Sequence, residues 1–135
     1  MRYLTAKEIL VLHALVVDST SGSHGIRDVQ LLASIIHKPQ SRFGGKDLYS
    51  GVFKKAAVLF EAIANYHVFI DGNKRTALAA AARSLHINGY VLTANNADTE
   101  EVALAVATKE IDVEALAAWL KEHSKKIKKQ DSISR

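Results

Sequence analysis

The chain has 135 residues, with one proline, seven glycines and no cysteine, and 48% of it is hydrophobic but only 7% aromatic. This length allows one buried core, so we predict a single domain over 1–135; the alanine, leucine and valine content favours packed helices over disorder or a turn-dense all-β fold. The absence of cysteine excludes disulfides and cysteine-based zinc sites, and the net charge of +4 lies entirely in residues 121–135.

The first predicted helix covers residues 6–18, because Thr5 is a good N-cap and the apolar positions 9, 10, 12, 15 and 16 share one helix face. The apolar run at 9–17 is hydrophobic enough for a signal-peptide core. It contains His13, however, and it does not follow a strongly basic leader. No run approaches the roughly 18 apolar residues of a membrane span. We therefore expect a cytoplasmic protein with no membrane partner.

Two helices separated by a loop are predicted next. An amphipathic helix over 27–37 must end before Pro39, since the residue before a proline avoids helical backbone. Residues 39–49 contain Gly44 and Gly45 and are expected to form an exposed loop or small hairpin. A longer helix over 51–65 has one apolar side. That side consists of Val52, Phe53, Ala56, Leu59, Phe60 and Ile63.

An alanine-rich helix is predicted over 72–87, with Asp71 as its N-cap. The pair Asn88-Gly89 ends this helix, and residues 90–92 are expected to be extended.

Two helices complete the predicted fold. Asp98 and Glu101 form a capping-box-like start to a helix over 99–109, and Asp112 caps the last helix. The predicted fold class is therefore all-α, a bundle of six or seven helices with a small flap loop or hairpin. The basic tail at 121–135 has two interpretations: a frayed, solvated helix end, which its lack of interleaved aromatic residues favours, or a contact for nucleic acid.

The segment from His67 to Thr76 concentrates the polar chemistry of the chain, where a loop is expected to become a helix. The first N–H groups of a helix have no internal acceptor and lie at the positive end of its dipole, so they bind anions. Gly72, Asn73 and Lys74 fall in this first turn, and Gly72 allows close approach. Lys74 and Arg75 add positive charge, and Arg75 can hold phosphate oxygens with two parallel hydrogen bonds.

Three other residues of the segment complete a hypothetical catalytic site. Asp71 either caps the helix or holds a Mg²⁺ that bridges phosphates, and its two oxygens allow both. His67 is the natural general base for a hydroxyl near neutral pH. Phe69 is expected to anchor the loop in the core so that His67 and Asp71 point outward. No histidine and acid set has the spacing of a dedicated metal cage.

The segment from His67 to Arg75 resembles the Fic motif, His-x-Phe-x-Asp/Glu-Gly/Ala-Asn-Gly/Lys-Arg, and is most similar to the Doc (death-on-curing) branch of that family. The resemblance covers residues 25–92 and implies a Fic/Doc-like helical bundle. The wider family transfers AMP from ATP to a hydroxyl, with glycine where this chain has Lys74 and usually a second arginine where it has Leu78. Both departures argue against AMP transfer.

The Doc resemblance implies a kinase that passes the ATP γ-phosphate to a threonine of elongation factor Tu and halts translation. It implies that His67 takes the hydroxyl proton, Asp71 holds Mg²⁺, and Asn73, Lys74 and Arg75 position the phosphates, as phosphoryl transfer requires. The loop at 42–49 then corresponds to the Fic flap that docks the target. The docking residues would be Phe43, Gly44, Gly45 and Lys46. A simple connector loop is the alternative for this segment.

The resemblance further implies the toxin of a type II toxin–antitoxin module, restrained by a separate antitoxin of the prevent-host-death type whose tail folds into a groove as a helix. The inhibitory pattern Ser/Thr-x-x-x-Glu-Gly/Asn of other Fic proteins is absent from this sequence. Nucleic acid is expected to be contacted only through the antitoxin. Two alternatives stay open: a Fic-type AMP transferase, and a non-enzymatic co-repressor or binding module.

Overall fold

A computed structural model describes residues 1–128 of the chain. Six α-helices and two small antiparallel sheets make up this part, which confirms the predicted all-α class. The helices are α1 (Ala6–Thr20), α2 (Val29–His37), α3 (Val52–Tyr66), α4 (Asn73–Ile87), α5 (Asn96–Ala107) and α6 (Val113–Glu122). The strands are β1 (Arg42–Phe43), β2 (Lys46–Asp47), β3 (Tyr90–Leu92) and β4 (Ser124–Lys126).

Helix α3 lies at the centre of the fold and packs against α4 and α6. Its predicted apolar side is buried or half-buried, as expected. Small side chains, including Ala56 and Ala57 on α3 and Ala80 and Ala81 on α4, are fully buried. Because alanine keeps the helix axes close, α3 and α4 form a tight pair, and the loop that joins them carries the polar segment.

Several predicted helix ends are confirmed by side-chain hydrogen bonds. The Thr5 hydroxyl accepts from the N–H of Glu8, whose carboxylate accepts from the N–H of Thr5, so the two residues form a capping box. The Asp112 carboxylate accepts from the N–H of Ala115 at the start of α6. Asn88 is the C-cap of α4, as predicted.

The predicted starts of α2 and α5 are wrong in position. Helix α2 begins at Val29 rather than at residue 27, because the Asp28 carboxylate caps it by accepting from the N–H of Leu31. Helix α5 begins at Asn96 rather than at residue 99, because the Asn95 side chain is the N-cap and accepts from the N–H of Asp98. In both places the polar residue that caps the helix sets its first turn.

The predicted buried face of α1 is also partly wrong. Its buried residues are Ile9, His13 and Val17, which are spaced four apart, whereas Leu15 is exposed.

The predicted loop at 39–49 does contain a hairpin, formed by β1 and β2. A short 3₁₀ turn at Lys38–Gln40 precedes this hairpin.

The described part of the basic tail contains the end of α6 and a strand, and it is not a frayed helix end. Helix α6 ends at Glu122, and β4 pairs antiparallel with β3 in a register that places Lys126 opposite Tyr90. Residues 129–135 of the tail lie outside the described residues. No helix within 1–128 combines the length and apolar character needed to cross a membrane.

Candidate functional site

The loop between α3 and α4 is held by backbone pairing with the segment that precedes α2. His67 ends α3 in the left-handed conformation, with φ of 52°. The N–H of Arg27 donates to the carbonyl oxygen of Val68 at 2.7 Å, and the N–H of Ile70 donates to that of Gly25 at 3.1 Å. Since these bonds flank the buried Val68 and Phe69, they fix the loop on the core while His67 stays exposed.

Phe69 anchors the loop in the core, as predicted, and its ring stacks on that of His13. The two ring centroids are 3.8 Å apart and the planes differ by 9°. His13 Nε2 also donates to the carbonyl oxygen of Asp71 at 2.8 Å. In the sequence, His13 stands out only as the polar member of the apolar run at 9–17. The signal that could have revealed it is the spacing of Ile9, His13 and Val17, because a polar residue on a buried face needs a partner.

Asp71 lies in this loop with an exposed side chain and is not the N-cap of α4, which corrects the prediction. The N-cap is Gly72, in the left-handed region at φ of 76°, without a side-chain capping bond. The Asp71 carboxylate instead accepts from the N–H of Gly72 at 2.8 Å through Oδ1 and from the N–H of Ser23 at 3.2 Å through Oδ2. These two bonds orient the carboxylate, and each oxygen keeps a further lone pair for a ligand.

Asn73 closes the loop through its side-chain amide. Its Oδ1 accepts from the N–H of Phe69 at 3.1 Å, and its Nδ2 donates to the carbonyl oxygen of Phe69 at 2.9 Å. The side chain therefore holds the loop against the first turn of α4. Its backbone N–H is among the first-turn groups that have no acceptor within the helix.

Lys74 and Arg75 follow in the same turn, and neither has an ion-pair partner within residues 1–128. The ring of His67 likewise accepts no hydrogen bond from, and donates none to, the described part of the chain. These side chains meet in a cleft of about 490 Å³, which brings together six of the residues that the sequence singled out in this segment, whereas Phe69 lies in the core. Its lining consists of Thr20, Gly22, Ala64, Asn65, His67, Ile70, Asp71, Gly72, Asn73, Lys74, Arg75 and Ala107.

The cleft offers a divalent cation one carboxylate rather than a complete set of ligands. No group of three or more histidine, cysteine, aspartate or glutamate side chains is placed to hold a metal anywhere in residues 1–128. A single oriented carboxylate beside free N–H groups and two uncompensated cations fits a Mg²⁺ that takes its remaining ligands from phosphates and water.

Lys38 borders the same helix end through Tyr66, the residue before His67. Its Nζ donates to the Tyr66 hydroxyl at 2.6 Å and lies 4.9 Å from the centre of that ring. Partial burial works to lower the pKa of Lys38, but the hydrogen bond to Tyr66 and the nearby Tyr49 and Glu61 outweigh it and raise that pKa above its usual 10.5. The positive charge on Lys38 is thereby maintained at physiological pH.

The β1–β2 hairpin, which we call the flap, exposes the residues predicted to dock a target. Gly44 and Gly45 turn the chain with φ of 59° and 79°, the positive values that a two-residue type I′ turn requires. Phe43 is 83% exposed, and Lys46 is exposed as well. All four residues lie outside the lining of the cleft. The flap is tied to α3 through Lys55, only 3% exposed, which lies 3.4 Å from Asp47.

Comparisons with known proteins identify the family to which this geometry belongs. The profile of the Fic/DOC family matches residues 3–85. The chain is 38% identical over 120 residues to Toxin Doc of Mycolicibacterium smegmatis, an alignment that covers 87% of this chain and 90% of that protein. It is 31% identical over 121 residues to Protein kinase doc of Escherichia phage P1, covering 90% and 94%. The chain belongs to the Fic/Doc family, in its Doc branch.

Proposed function

We propose that this protein is the toxin of a type II toxin–antitoxin module, a kinase that transfers the γ-phosphate of ATP to a serine or threonine hydroxyl of a translation factor. Elongation factor Tu is the target that the Doc resemblance suggests. The observation that carries the proposal is the cleft, in which an unpartnered His67 faces the same space as the oriented Asp71 carboxylate and two uncompensated cations. The names of the two relatives, a toxin and a protein kinase, support it.

The transfer step uses His67 as the base. His67 takes the proton of the target hydroxyl, whose oxygen attacks the γ-phosphorus while the bond to the bridging oxygen of ADP breaks. Lys74, Arg75 and the first N–H groups of α4 stabilise the charge that spreads over the phosphate oxygens. Phosphoryl transfer needs mainly positioning and charge stabilisation, and the residues of the cleft supply both.

Asp71 is the residue that would hold Mg²⁺. The ion would neutralise negative charge on the phosphates of ATP. Asp71 suits this role because Gly72 and Ser23 fix the direction of its carboxylate without using all its lone pairs.

Two residues of α4 favour phosphate transfer over AMP transfer. Lys74 occupies the first turn of α4. AMP transferases of the family have glycine at this position, which leaves space for the phosphates of the nucleotide. Leu78, at the position of their second arginine, is half-buried and packs against the core, so it offers no charge for a distal phosphate.

The decisive experiment supplies the protein and purified elongation factor Tu with ATP labelled at either the γ- or the α-phosphate. We expect label on the target only from the γ-position. Label from the α-position alone would show an AMP transferase. The control is His67→Asn, because asparagine tolerates the left-handed conformation of residue 67 and should fold normally. We expect this variant to lose about 10²–10⁴-fold in rate. A variant that is as toxic to growing cells as the wild type would instead support a non-enzymatic co-repressor.

The partner that we propose is an antitoxin of the prevent-host-death type, bound as an amphipathic helix on the outer face of α1. Val11 and Leu15 lie one turn apart on this face and are 52% and 62% exposed. A cavity of about 280 Å³ beside Val11 is rimmed by Lys7, Glu8 and Arg83. An apolar ridge with a charged rim suits such a helix, and the C-terminal end of α1 also brings Thr20 to the catalytic cleft.

Co-expression with the antitoxin encoded beside the gene tests this surface. We expect Leu15→Glu to abolish co-purification and to leave the toxin active and unrestrained. Val29→Glu is the matched control, because Val29 is an equally exposed apolar residue on a different groove, between α1 and α2. If Val29→Glu breaks the complex and Leu15→Glu does not, the antitoxin occupies that second groove.

A further inference from the structure

We propose that His13 is a positioning residue of the active site, which fixes the Asp71 carboxylate through the peptide group between Asp71 and Gly72. The proposal deepens the kinase function above and rests on it for the meaning of the carboxylate. His13 lies on α1, 58 positions from Asp71 in the chain, and touches neither the cleft nor its proposed substrates.

The peptide group between Asp71 and Gly72 is held at both of its polar ends. His13 Nε2 donates to its carbonyl oxygen at 2.8 Å, and its N–H donates to Oδ1 of Asp71 at 2.8 Å. An N–H group becomes a stronger donor when the carbonyl of the same peptide accepts a hydrogen bond, since the two polarise each other. The imidazole is thereby linked to the carboxylate through one amide.

Both the face and the edge of the His13 ring are used. The face stacks on Phe69, the anchor of the loop, and the edge donates to Asp71. His13 is 4% exposed and stands on the buried stripe of α1 between Ile9 and Val17. An apolar ring would fill this space equally well, so packing alone does not account for a histidine. The hydrogen bond that His13 donates to the carbonyl oxygen of Asp71 does account for it.

The geometry also defines the form of the ring. A carbonyl oxygen only accepts, so the proton of the neutral imidazole resides on Nε2. If that proton moved to Nδ1, Nε2 and the carbonyl oxygen of Asp71 would both be acceptors. They would then repel each other, and the hydrogen bond to the peptide group would be lost. The Nε2 proton of His13 therefore contributes to the orientation of Asp71 together with the N–H groups of Gly72 and Ser23.

Two substitutions separate the face of the ring from its donor. His13→Phe keeps a ring to stack on Phe69 and removes the donor, whereas His13→Gln keeps an N–H at similar reach and removes the ring. We expect His13→Phe to lower kcat or the apparent affinity for Mg²⁺ by about 10–100-fold, as loss of a residue behind a metal ligand does. His13→Gln should restore most of that loss although it is the less stable variant. Ile9→Val, on the same stripe, is the control for destabilisation alone and should leave the Mg²⁺ dependence unchanged.

Nuclear magnetic resonance provides a readout that does not require activity. We expect the ¹⁵N spectrum of the wild type to show His13 protonated at Nε2. The amide proton of Gly72 should shift upfield in His13→Phe and stay near its wild-type position in His13→Gln. An unmoved Gly72 amide in a folded His13→Phe variant, or unchanged kinetics in that variant, overturns the role of His13. A wild type that transfers no phosphate refutes the kinase proposal instead, and the Gly72 shift still decides the role of His13.

Discussion

Lys55 on α3 reaches across to the flap, where its Nζ lies 3.4 Å from Oδ2 of Asp47 and donates to the carbonyl oxygen of Pro39 at 2.9 Å. The lysine is buried while the Asp47 side chain is 41% exposed, so the pair joins the core to an otherwise exposed hairpin. The flap is therefore held in place by a charge inside the core and not by its own two-residue strands.

Replacing this charge should loosen the flap. We expect Lys55→Met to lower the free energy of unfolding by about 1–3 kcal/mol, because the Pro39 carbonyl loses its donor. The KM for the protein target should rise while the KM for ATP stays constant. Urea unfolding and steady-state kinetics measure these effects. Lys54→Met is the matched control: Lys54 pairs with the exposed Glu114 at 2.6 Å, and its loss should cost under about 1 kcal/mol. Equal unfolding midpoints for the two variants would disprove the anchoring role.

A methyl group at position 22 should displace the carboxylate of Asp71. A Cβ on Gly22 would lie 2.8 Å from Oδ2 of Asp71 and 3.4 Å from Oγ1 of Thr20. Because the Asp71 carboxylate is the end of a side chain, it can shift, and the fold should keep its melting temperature. We expect Gly22→Ala to lower the transfer rate by as much as about 10²-fold, the effect of misplacing a reacting group by 1 Å. Ser23→Ala, which keeps the N–H that Asp71 accepts from, should retain full activity.

Removing an unpaired hydroxyl from the first turn of α4 should stabilise the protein. Thr76 is fully buried, and its Oγ1 has no hydrogen-bond partner among the described residues. Valine has the same shape without the desolvated hydroxyl, so we expect Thr76→Val to raise the free energy of unfolding by about 1 kcal/mol. Thr99→Val is the opposite control, because the Thr99 hydroxyl donates to the carbonyl oxygen of Asn96 at 2.8 Å. In thermal unfolding, the melting temperature should rise for Thr76→Val and fall for Thr99→Val.

Lys38 should make stability depend on pH in the alkaline range. Its pKa in the folded protein is raised above 10.5 by Tyr66 and neighbouring groups, against the opposing effect of burial. The folded state therefore holds the proton more tightly than the unfolded state does, and this contribution is complete below pH 10.5 and is lost as the pH rises through the folded pKa. We expect the stability difference between wild type and Lys38→Met to shrink only above that pH. Tyr66→Phe should weaken this dependence; an unchanged profile in that variant would rule out the hydroxyl as its cause.

Local sequence signals predicted most of the helices. Thr5, Asp112 and Asn88 act at the positions where cap preferences placed them, because capping is decided within four residues. The start of α5 shows the limit of this reasoning. Asn95 and Asp98 are both good caps three residues apart, and a local preference does not choose between them.

The features that were missed depend on contacts between distant parts of the chain. Aspartate is a residue type that often caps helices, but the carboxylate of Asp71 instead accepts a hydrogen bond from the N–H of Ser23, which is 48 positions away. Strand β4 is rich in lysine, and it forms because its backbone pairs with β3. Six polar and glycine residues of the motif were recognised from their spacing and do share one cleft, whereas the hydrogen bond of His13 to the loop depends on α1 lying beside it.

The long-range bonds to Asp71 also bear on how the protein comes into being. Ribosomes deliver α1 and the Ser23 loop first, and domains fold as their residues emerge. Asp71 follows His13 by 58 positions and Ser23 by 48 positions, so both contacts can form only after these further residues have been synthesised. Closing such intervals carries an entropic cost, which the packing of α1 against α4 helps to offset. A nascent chain that does not yet include α4 therefore has no aligned carboxylate, because α4 must be present for the loop to close.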